Sequence, residues 1–305
     1  MLASELFEIK GPFDTWDTLI KFYDDFHRKH SSRWLFRGQR DSRWTFETSL
    51  ERAVIKFCEK RVLNDNEKRA QLERGLKCEH GSGWREVRSL EAGLIRRFQR
   101  QAHQYLTSPP EESDWFEWLT VMQHFGTPTR LLDWTYSFFV ALYFAVEASE
   151  DDCESCAVWG IDKDWLGEKR LREILTKDAW SKLRRDRNAR RKDTFDALFC
   201  KGRKFVCPIN AFRLNERLAV QQGAFLIPGD TGTPFDDNLA ATIRGKKNRS
   251  HLVRIDVKMS RRNKLLFIQK LHRMNMNRAT LFPGLNGFAK SLENLLAFPG
   301  MLEPT

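Results

Sequence analysis

The chain has 305 residues, of which 41% are hydrophobic and 12% aromatic, so it can bury a substantial core and an intrinsically disordered chain is excluded. Its formal net charge of +11 favours anionic partners, namely nucleic acid, phosphate-rich cofactors or acidic proteins. The longest apolar run, residues 138–146, is too short to span a bilayer, and the first residues lack a signal-peptide pattern, so we predict a soluble, cytoplasmic protein with no membrane partner.

The first half of the chain reads mostly as helices. The segment DTWDTLIKFYDDFHRK has apolar residues at helical spacing and predicts a helix capped by Asp14 or Thr15. Residues 48–106 are charge-rich and helical in pattern. After a proline break, DWFEWLTVMQHFG predicts a helix capped by Ser113 or Asp114. The segment YSFFVALYFAVEA is apolar almost all round, which predicts a helix buried on most sides.

The second half contributes strands. CAVWGID, AVQQGAFLIPG and SHLVRIDV each predict a strand, whereas KLLFIQKLHRMN fits a strand or a helix. Residues 163–204 between them are strongly basic. An early strand, middle helices and late strands together predict a mixed α+β fold.

Six cysteines do not form a metal-binding pattern. Cys153 and Cys156 form one C-x-x-C, but no second pair or nearby histidine completes four ligands. Without a secretory signal, reduced thiols are the default. We therefore predict no metal site.

The stretch RWLFRGQ predicts a short strand that ends in an unusual way. Alternation places Trp34 and Phe36 on one face and Leu35 and Arg37 on the other. Arg37 offers a planar fork of donors that suits phosphate or carboxylate, and Gly38 would let a ligand or another strand approach the backbone. The alternative is an arginine paired with a structural carboxylate, followed by a glycine turn.

A second polar stretch, HFGTPTRLLDWT, begins at residue 124. Gly126 and Pro128 predict an irregular loop between two helices, leading directly into the buried helix, whose first amides lack intrahelical partners. A helix N-terminus beside Arg130 would be an anion site. The alternative is a capped helix in which Asp133 or Thr135 bonds the first turn and Arg130 pairs with Asp133.

These motifs resemble the FRG domain family. FRGQ at 36–39 and HFGTPTRLLDWT…ALYFA at 124–145 carry the resemblance, which extends to RLAVQQGAFLIPG and ATLFPGLNGFAKSL. The resemblance implies a single FRG-type domain over residues 1–305, with a helical insertion at 53–113 and a basic insertion at 160–212. Because the family occurs in bacterial and phage-related settings, it also implies a toxin or anti-phage defence effector with a partner protein or antitoxin.

The order of these elements is similar to that of ADP-ribosyltransferases, which implies a split sheet and NAD as substrate. In those enzymes an arginine holds the phosphate–ribose side of NAD, a middle element shapes the nicotinamide pocket, and a late glutamate steadies the ribosyl cation. Here the late strand reads VQQG and lacks that glutamate, so Asp133 and Glu216 are the candidate carboxylates. The resemblance implies as catalytic residues Arg37, His124, Asp133 and Glu216, and as NAD-binding residues Arg37, Gly38, Gln39, Thr127, Thr129, Arg130, Trp134 and Gln222.

Two other functions stay open. The run SKLRRDRNARRK at 181–192 could bind nucleic-acid phosphates, as in a nuclease-type defence protein, through Arg184, Arg185, Arg190 and Arg191, or could be a solvated helix face. A nuclease would need clustered carboxylates, and the only late acidic pair, at 236–237, lies in a turn-like segment. The third possibility is a nucleotide-sensing module without chemistry.

Overall fold

The computed structural model describes residues 2–62, 82–149, 154–186 and 189–296. Over these ranges it contains thirteen α-helices and seven β-strands, so the predicted mixed α+β class is confirmed. None of the described helices combines the length and the apolar character that crossing a membrane requires.

All seven strands belong to one sheet, in the order β1-β7-β4-β2-β3-β6-β5. β1 pairs with β7 in parallel, and every other neighbouring pair is antiparallel. The strands are β1 (Glu8–Phe13), β2 (Trp34–Gln39), β3 (Leu132–Thr135), β4 (Ser155–Asp162), β5 (Val206–Ile209), β6 (Gly223–Pro228) and β7 (Leu252–Lys258).

The helices surround this sheet. They are α1 (Trp16–Lys29), α2 (Ser49–Val62), α3 (Ser82–Ala102), α4 (Trp115–His124), α5 (Phe138–Glu147), α6 (Leu171–Ile174), α7 (Lys177–Arg185), α8 (Lys192–Phe199), α9 (Glu216–Val220), α10 (Phe235–Ile243), α11 (Arg261–Arg273), α12 (Arg278–Leu281) and α13 (Leu285–Leu296). A π-helix, Trp165–Arg170, leads directly into α6.

The two faces of the sheet bury different cores. One face presents Leu35, Trp159 and Leu226 to a core shared by strands from β2 to β6 and closed by α10. The opposite face carries two cores. The first lies under α1, α5 and α11, and the second lies under α3, α4, α7 and α8. β3 therefore runs where these two cores meet.

Several elements confirm the sequence predictions. β2 alternates as expected, since Leu35 and Phe36 belong to cores on opposite faces. Thr15 accepts a hydrogen bond from the Thr18 amide at the start of α1, and Asp114 caps α4 in the same way. The segment KLLFIQKLHRMN, which fitted a strand or a helix, forms most of α11.

Helix α5 is buried on most sides, as its composition predicts. Seven of its ten residues are buried, and Ser137 caps its first turn by accepting from the Val140 amide. An apolar helix with no polar face is stable only when other elements cover it, and here β2 and α11 do so. Its position fixes the geometry of β2.

Three strands were not predicted: β1, β3 and β5. β5 contains Pro208, which is tolerated because β5 lies at the edge of the sheet and needs no second ladder of hydrogen bonds. β3 has four residues, too few to show a period-2 pattern. The expected direct passage from the 124–133 loop into a helix is therefore wrong, because β3 lies between them.

The two predicted insertions can be located in the described part of the chain. Residues 53–113 contain most of α2 and all of α3, while residues 63–81 lie outside the described residues. Residues 160–212 contain the π-helix, α6 to α8 and β5. Cys200 and Cys207 are free thiols, and Cys153 lies outside the described residues. No group of potential metal ligands is found in the described part of the chain.

Candidate functional site

The sheet is nearly divided between β2 and β3. These strands share one residue pair, Phe36 with Thr135, whereas β2 and β4 share six pairs and β3 and β6 share four. Beyond that pair, the end of β2 and the start of β3 separate. Arg37 lies at this separation, immediately after the last shared pair.

Arg37 has an unusual electrostatic environment. Its Nη1 donates to the carbonyl oxygen of Asp133 at 2.7 Å, while its Nε is buried with no hydrogen-bond partner in the described part of the chain. Burial lowers the pKa of Arg37 to about 10; the nearby Asp133 carboxylate opposes this shift and the charge of Arg52 adds to it. A cation with an unmatched buried donor favours binding of an anion.

Asp133 connects Arg37 to a set of polar side chains. Its carboxylate is exposed, and Oδ2 accepts from Nε2 of Gln123 at 3.0 Å. Oε1 of Gln123 accepts from the hydroxyl of Thr129 at 2.6 Å, and the Thr129 amide donates to the hydroxyl of Ser49 at 3.0 Å. We call Arg37, Arg52, Gln123 and Asp133, with Thr129 and Ser49 beneath them, the Arg37 cluster.

Gly38 has a packing role. A Cβ added there would lie 1.9 Å from the carbonyl oxygen of Ala141 and 2.7 Å from the amide nitrogen of Ala145, both in α5. The element that approaches the backbone at Gly38 is thus a helix, whereas we had expected a ligand or another strand. Since α5 fills this space, Gly38 does not contact a cofactor from that face.

Gln39 also has a structural bond. Its Nε2 donates to the carbonyl oxygen of Thr45 at 3.0 Å, while its Oε1 is buried without a hydrogen-bond partner among the described residues. This bond connects the end of β2 to the segment that precedes α2. Helix α2 itself carries Ser49 and Arg52 of the Arg37 cluster.

Arg130 does not lie open to a ligand. Its Nε and Nη2 bond to the carboxylate of Glu91, and its Nη1 donates to the carbonyl oxygen of Phe199 at 3.0 Å. Both side chains are almost fully buried, at 3% and 2% exposure. The predicted anion site beside Arg130 requires correction, because β3 separates it from the N-terminus of α5 and Glu91 occupies its donors. The alternative interpretation, a structural ion pair of Arg130, is the one that the structure contains, but the partner is Glu91 and not Asp133.

Two opposite effects act on the pKa of Arg130, and the effect of the Glu91 carboxylate is larger than that of burial. Desolvation alone would lower the pKa of Arg130, whereas the charge of Glu91 and its hydrogen bonds leave that pKa above its ordinary value. The guanidinium also lies 5.6 Å from the ring centre of Phe195. The pair therefore joins α3 to the segment that leads into β3 and, through the Phe199 carbonyl, to α8 inside the core.

Other predicted residues lie around the cluster without joining it. Trp134 is buried and stacks on Phe46 at 6.1 Å, so its ring is not available to a ligand base. His124 ends α4, and burial together with the charge of Arg217 lowers its pKa. The Thr127 amide donates to Met122 in the turn after α4.

The late residues lie toward the other end of β3. Gln222 is exposed with a φ of 48°, and its carbonyl accepts from the Tyr136 amide at 3.0 Å. Glu216 is exposed at the first position of α9. No hydrogen bond or ion pair among the described residues joins Glu216 to the Arg37 cluster. Asp133 is thus the candidate carboxylate that the structure brings to Arg37.

The four predicted nucleic-acid-binding arginines have different surroundings. Arg184 and Arg185 are exposed on α7, and Arg191 is exposed just before α8. Arg190 instead donates to the carboxylate of Asp114 at 2.9 Å and lies 4.0 Å from the ring centre of Phe212. Arg190 is therefore a structural residue as well as a surface charge.

The sequence did not single out Ser49, Arg52, Gln123 or Glu91. One signal was readable: Thr48 and Glu51 fit the capping-box pattern, and their side chains do bond the amides at the start of α2. That pattern places Ser49 and Arg52 in the first turn of a helix. Nothing local in the sequence links Ser49 to Thr129, because the two residues are 80 positions apart.

Comparisons with known proteins support one assignment. Residues 32–154 match the family model of the FRG domain, a range that begins just before β2, ends just before β4 and contains the whole Arg37 cluster. No curated protein and no solved structure matches the chain.

Proposed function

We propose that this chain, which belongs to the FRG domain family, binds NAD at the Arg37 cluster and breaks its nicotinamide–ribose bond, as an ADP-ribosyltransferase or an NAD glycohydrolase. The observation that carries the proposal is the state of Arg37. It is a cation at the separation of two strands, with one donor engaged and a buried Nε that has no partner within the described residues.

Arg37 and Arg52 are suited to the pyrophosphate of a dinucleotide. The guanidinium of Arg37 presents a planar fork that can bond two phosphate oxygens at once. The exposed Arg52 lies close enough for its charge to lower the pKa of Arg37. A bound phosphate would relieve this repulsion, since it compensates both charges.

Asp133 is the proposed electrostatic partner of the reacting ribose. When the bond between the nicotinamide nitrogen and C1 of the ribose breaks, its electron pair leaves with nicotinamide and C1 becomes cationic. A carboxylate near C1 stabilises that cation until water or an acceptor side chain adds there. Gln123 holds one oxygen of Asp133 by a hydrogen bond, which leaves the other oxygen to face the ligand.

The fold that goes with this proposal is a split sheet similar to that of ADP-ribosyltransferases. All seven strands lie in one sheet, and the single shared pair between β2 and β3 is the point at which a split would divide it. A split at this position would put Arg37 at the mouth of the cleft. An effector that consumes NAD would act in the cytoplasm, where NAD is abundant, and in bacterial conflict it would serve as a toxin or a defence protein held in check by a partner.

The test is release of nicotinamide from millimolar NAD, with and without a lysate that supplies acceptors. We expect Arg37→Ala to abolish release, and Arg37→Lys to retain little because an ammonium lacks the planar fork. Asp133→Asn should lower turnover by about 10²- to 10³-fold while NAD still binds. Arg244→Ala is the matched control, since Arg244 is exposed and lies outside the cluster.

Wild-type release equal to the blank without enzyme, under all these conditions, would refute the catalytic proposal. If NAD still binds in an Arg37-dependent manner, the chain is a nucleotide-sensing module. If Arg244→Ala loses as much activity as Arg37→Ala, general loss of positive charge explains the effect and the assignment of Arg37 fails.

A further inference from the structure

A cavity lies away from the Arg37 cluster, between the π-helix, α6, α7 and the edge strand β5. Its volume is about 570 Å³, within the range of ligand-binding pockets. We call it the α6–α7 pocket. Arg33, which lines the pocket, directly precedes β2, so its Cα and that of Arg37 are separated by roughly 13 Å of extended chain.

The α6–α7 pocket has an excess of positive charge. Arg33 at its rim is compensated by Asp164, whose Oδ1 lies 2.8 Å from Nη2 of Arg33. Four further cations line the pocket, and none of them forms an ion pair with any residue that the structure describes: Lys163, Lys169, Arg172 and Arg184. Among the described residues that line the pocket, Glu168 is the only other acidic one.

The same pocket contains a flat aromatic surface. Trp180 is half-buried: it packs against the core under α3 and α4 and also lines the pocket. Leu171 and Leu183 add apolar wall beside it. A ring that packs against the core and also lines a pocket can stack on a planar ligand group at little entropic cost.

Two further features of the pocket lining indicate what kind of ligand the pocket can bind. Burial raises the pKa of the Cys207 thiol to about 12, so this residue stays protonated and acts as an apolar wall rather than a nucleophile. The part of the lining next to β5 is the π-helix Trp165–Arg170, a rare geometry that is frequent at functional sites. Gly167 in this helix approaches Pro208 so closely that an added Cβ would lie 3.3 Å from its Cγ.

We propose that the α6–α7 pocket binds a nucleoside phosphate, with the base stacked on Trp180 and the phosphates paired with Lys169, Arg172 and Arg184. A simple anion would need the cations but not the ring, and an apolar ligand would need the ring but not the cations. The nucleoside phosphate is either a free nucleotide or one unit of a single-stranded nucleic acid. The site is independent of the proposed NAD chemistry, because it shares no residue with the Arg37 cluster.

The test is calorimetric titration of the full chain with AMP, with ribose 5-phosphate and with a single-stranded oligonucleotide of five adenylates. The double variant Arg172→Gln/Arg184→Gln should weaken binding of AMP or of the oligonucleotide at least tenfold. The matched control is Lys182→Gln/Arg185→Gln, which removes the same charge from the same region without touching the pocket lining. The control should change binding less than twofold.

Trp180→Leu tests the stacking while keeping an apolar side chain against the core. It should weaken AMP binding at least fivefold and leave the weak binding of ribose 5-phosphate unchanged, and its thermal unfolding should be checked beside that of the wild type. Tighter binding of AMP than of the oligonucleotide, per site, identifies a free nucleotide as the ligand, and the reverse identifies a single strand. Arg37→Ala should leave all these affinities unchanged.

Three results would overturn the proposal. The first is no binding of any probe to the wild type. The second is equal weakening by the pocket variant and its control, which would mean that binding follows overall charge. The third is ribose 5-phosphate binding as tightly as AMP, which would mean that no base is recognised.

Discussion

The pairing of Arg130 with Glu91 makes a quantitative prediction about stability. Arg130→Met removes the cation and leaves the Glu91 carboxylate in a site where 2% of its side chain is exposed, with the carbonyl of Phe199 also losing its donor. Breaking a buried pair by removing one partner costs about 3–5 kcal/mol. Because total stabilities of domains are about 5–15 kcal/mol, this is a large fraction of the free energy of unfolding.

The double variant Arg130→Met/Glu91→Met should recover most of that loss. It removes both charges and fills the space with apolar side chains, a replacement that is often neutral or stabilising. The measurement is urea unfolding followed by tryptophan fluorescence, with exposed Arg244→Met as a control that should change stability by less than about 0.5 kcal/mol. The structural assignment of Arg130 is refuted if Arg130→Met unfolds at the same urea concentration as wild type, or if adding Glu91→Met destabilises it further.

Three further predictions concern the elements around the Arg37 cluster. Gly38→Ala should destabilise the protein by about 1–3 kcal/mol or more, because the new methyl group overlaps the backbone of α5 at Ala141. Urea unfolding measures this loss. Unchanged stability together with lost NAD binding would instead mean that Gly38 contacts the ligand. Leu142→Ala should cost about 2–5 kcal/mol through a cavity in α5, whereas exposed Leu90→Ala should cost less than about 0.5 kcal/mol, and similar losses in both would contradict the burial of α5. Burial raises the pKa of Glu51 to about 7. The folded state therefore holds the Glu51 proton more tightly than the unfolded state, and this contribution to the free energy of unfolding is fully present below pH 4.5 and is lost as the pH rises to about 7. Over that range wild type should lose about 3 kcal/mol relative to Glu51→Gln, and parallel stability curves for the two proteins would show that Glu51 is not shifted.

The elements that the sequence predicted well are those with their own periodicity. β2 places Leu35 and Phe36 in cores on opposite faces, and α5 is apolar over its ten residues, so local pattern and burial agree. β3 could not be predicted in this way. Its four residues follow a loop rich in threonine and proline, and it is a strand because β6 pairs with it at four positions.

The same difference applies to the residues of the candidate site: a local sequence pattern identifies some of them, whereas the roles of others depend on partners that are distant in the sequence. Arg37 was identified because a charge at the end of an apolar strand is unusual in itself. The role of Arg130 was not, because its partner Glu91 is thirty-nine positions away and no local pattern links them. Gly38 was recognised as a point of close approach, but only the packed structure identifies α5 as the element that approaches.

The most direct test of the NAD proposal is a crystal structure of the protein with NAD, or with ADP-ribose if NAD is turned over. We predict that a pyrophosphate oxygen lies within hydrogen-bonding distance, about 2.7–3.2 Å, of the guanidinium of Arg37, with Asp133 facing the ribose that carries nicotinamide. Dinucleotide found only in the α6–α7 pocket, or no bound dinucleotide at millimolar concentration, would contradict it.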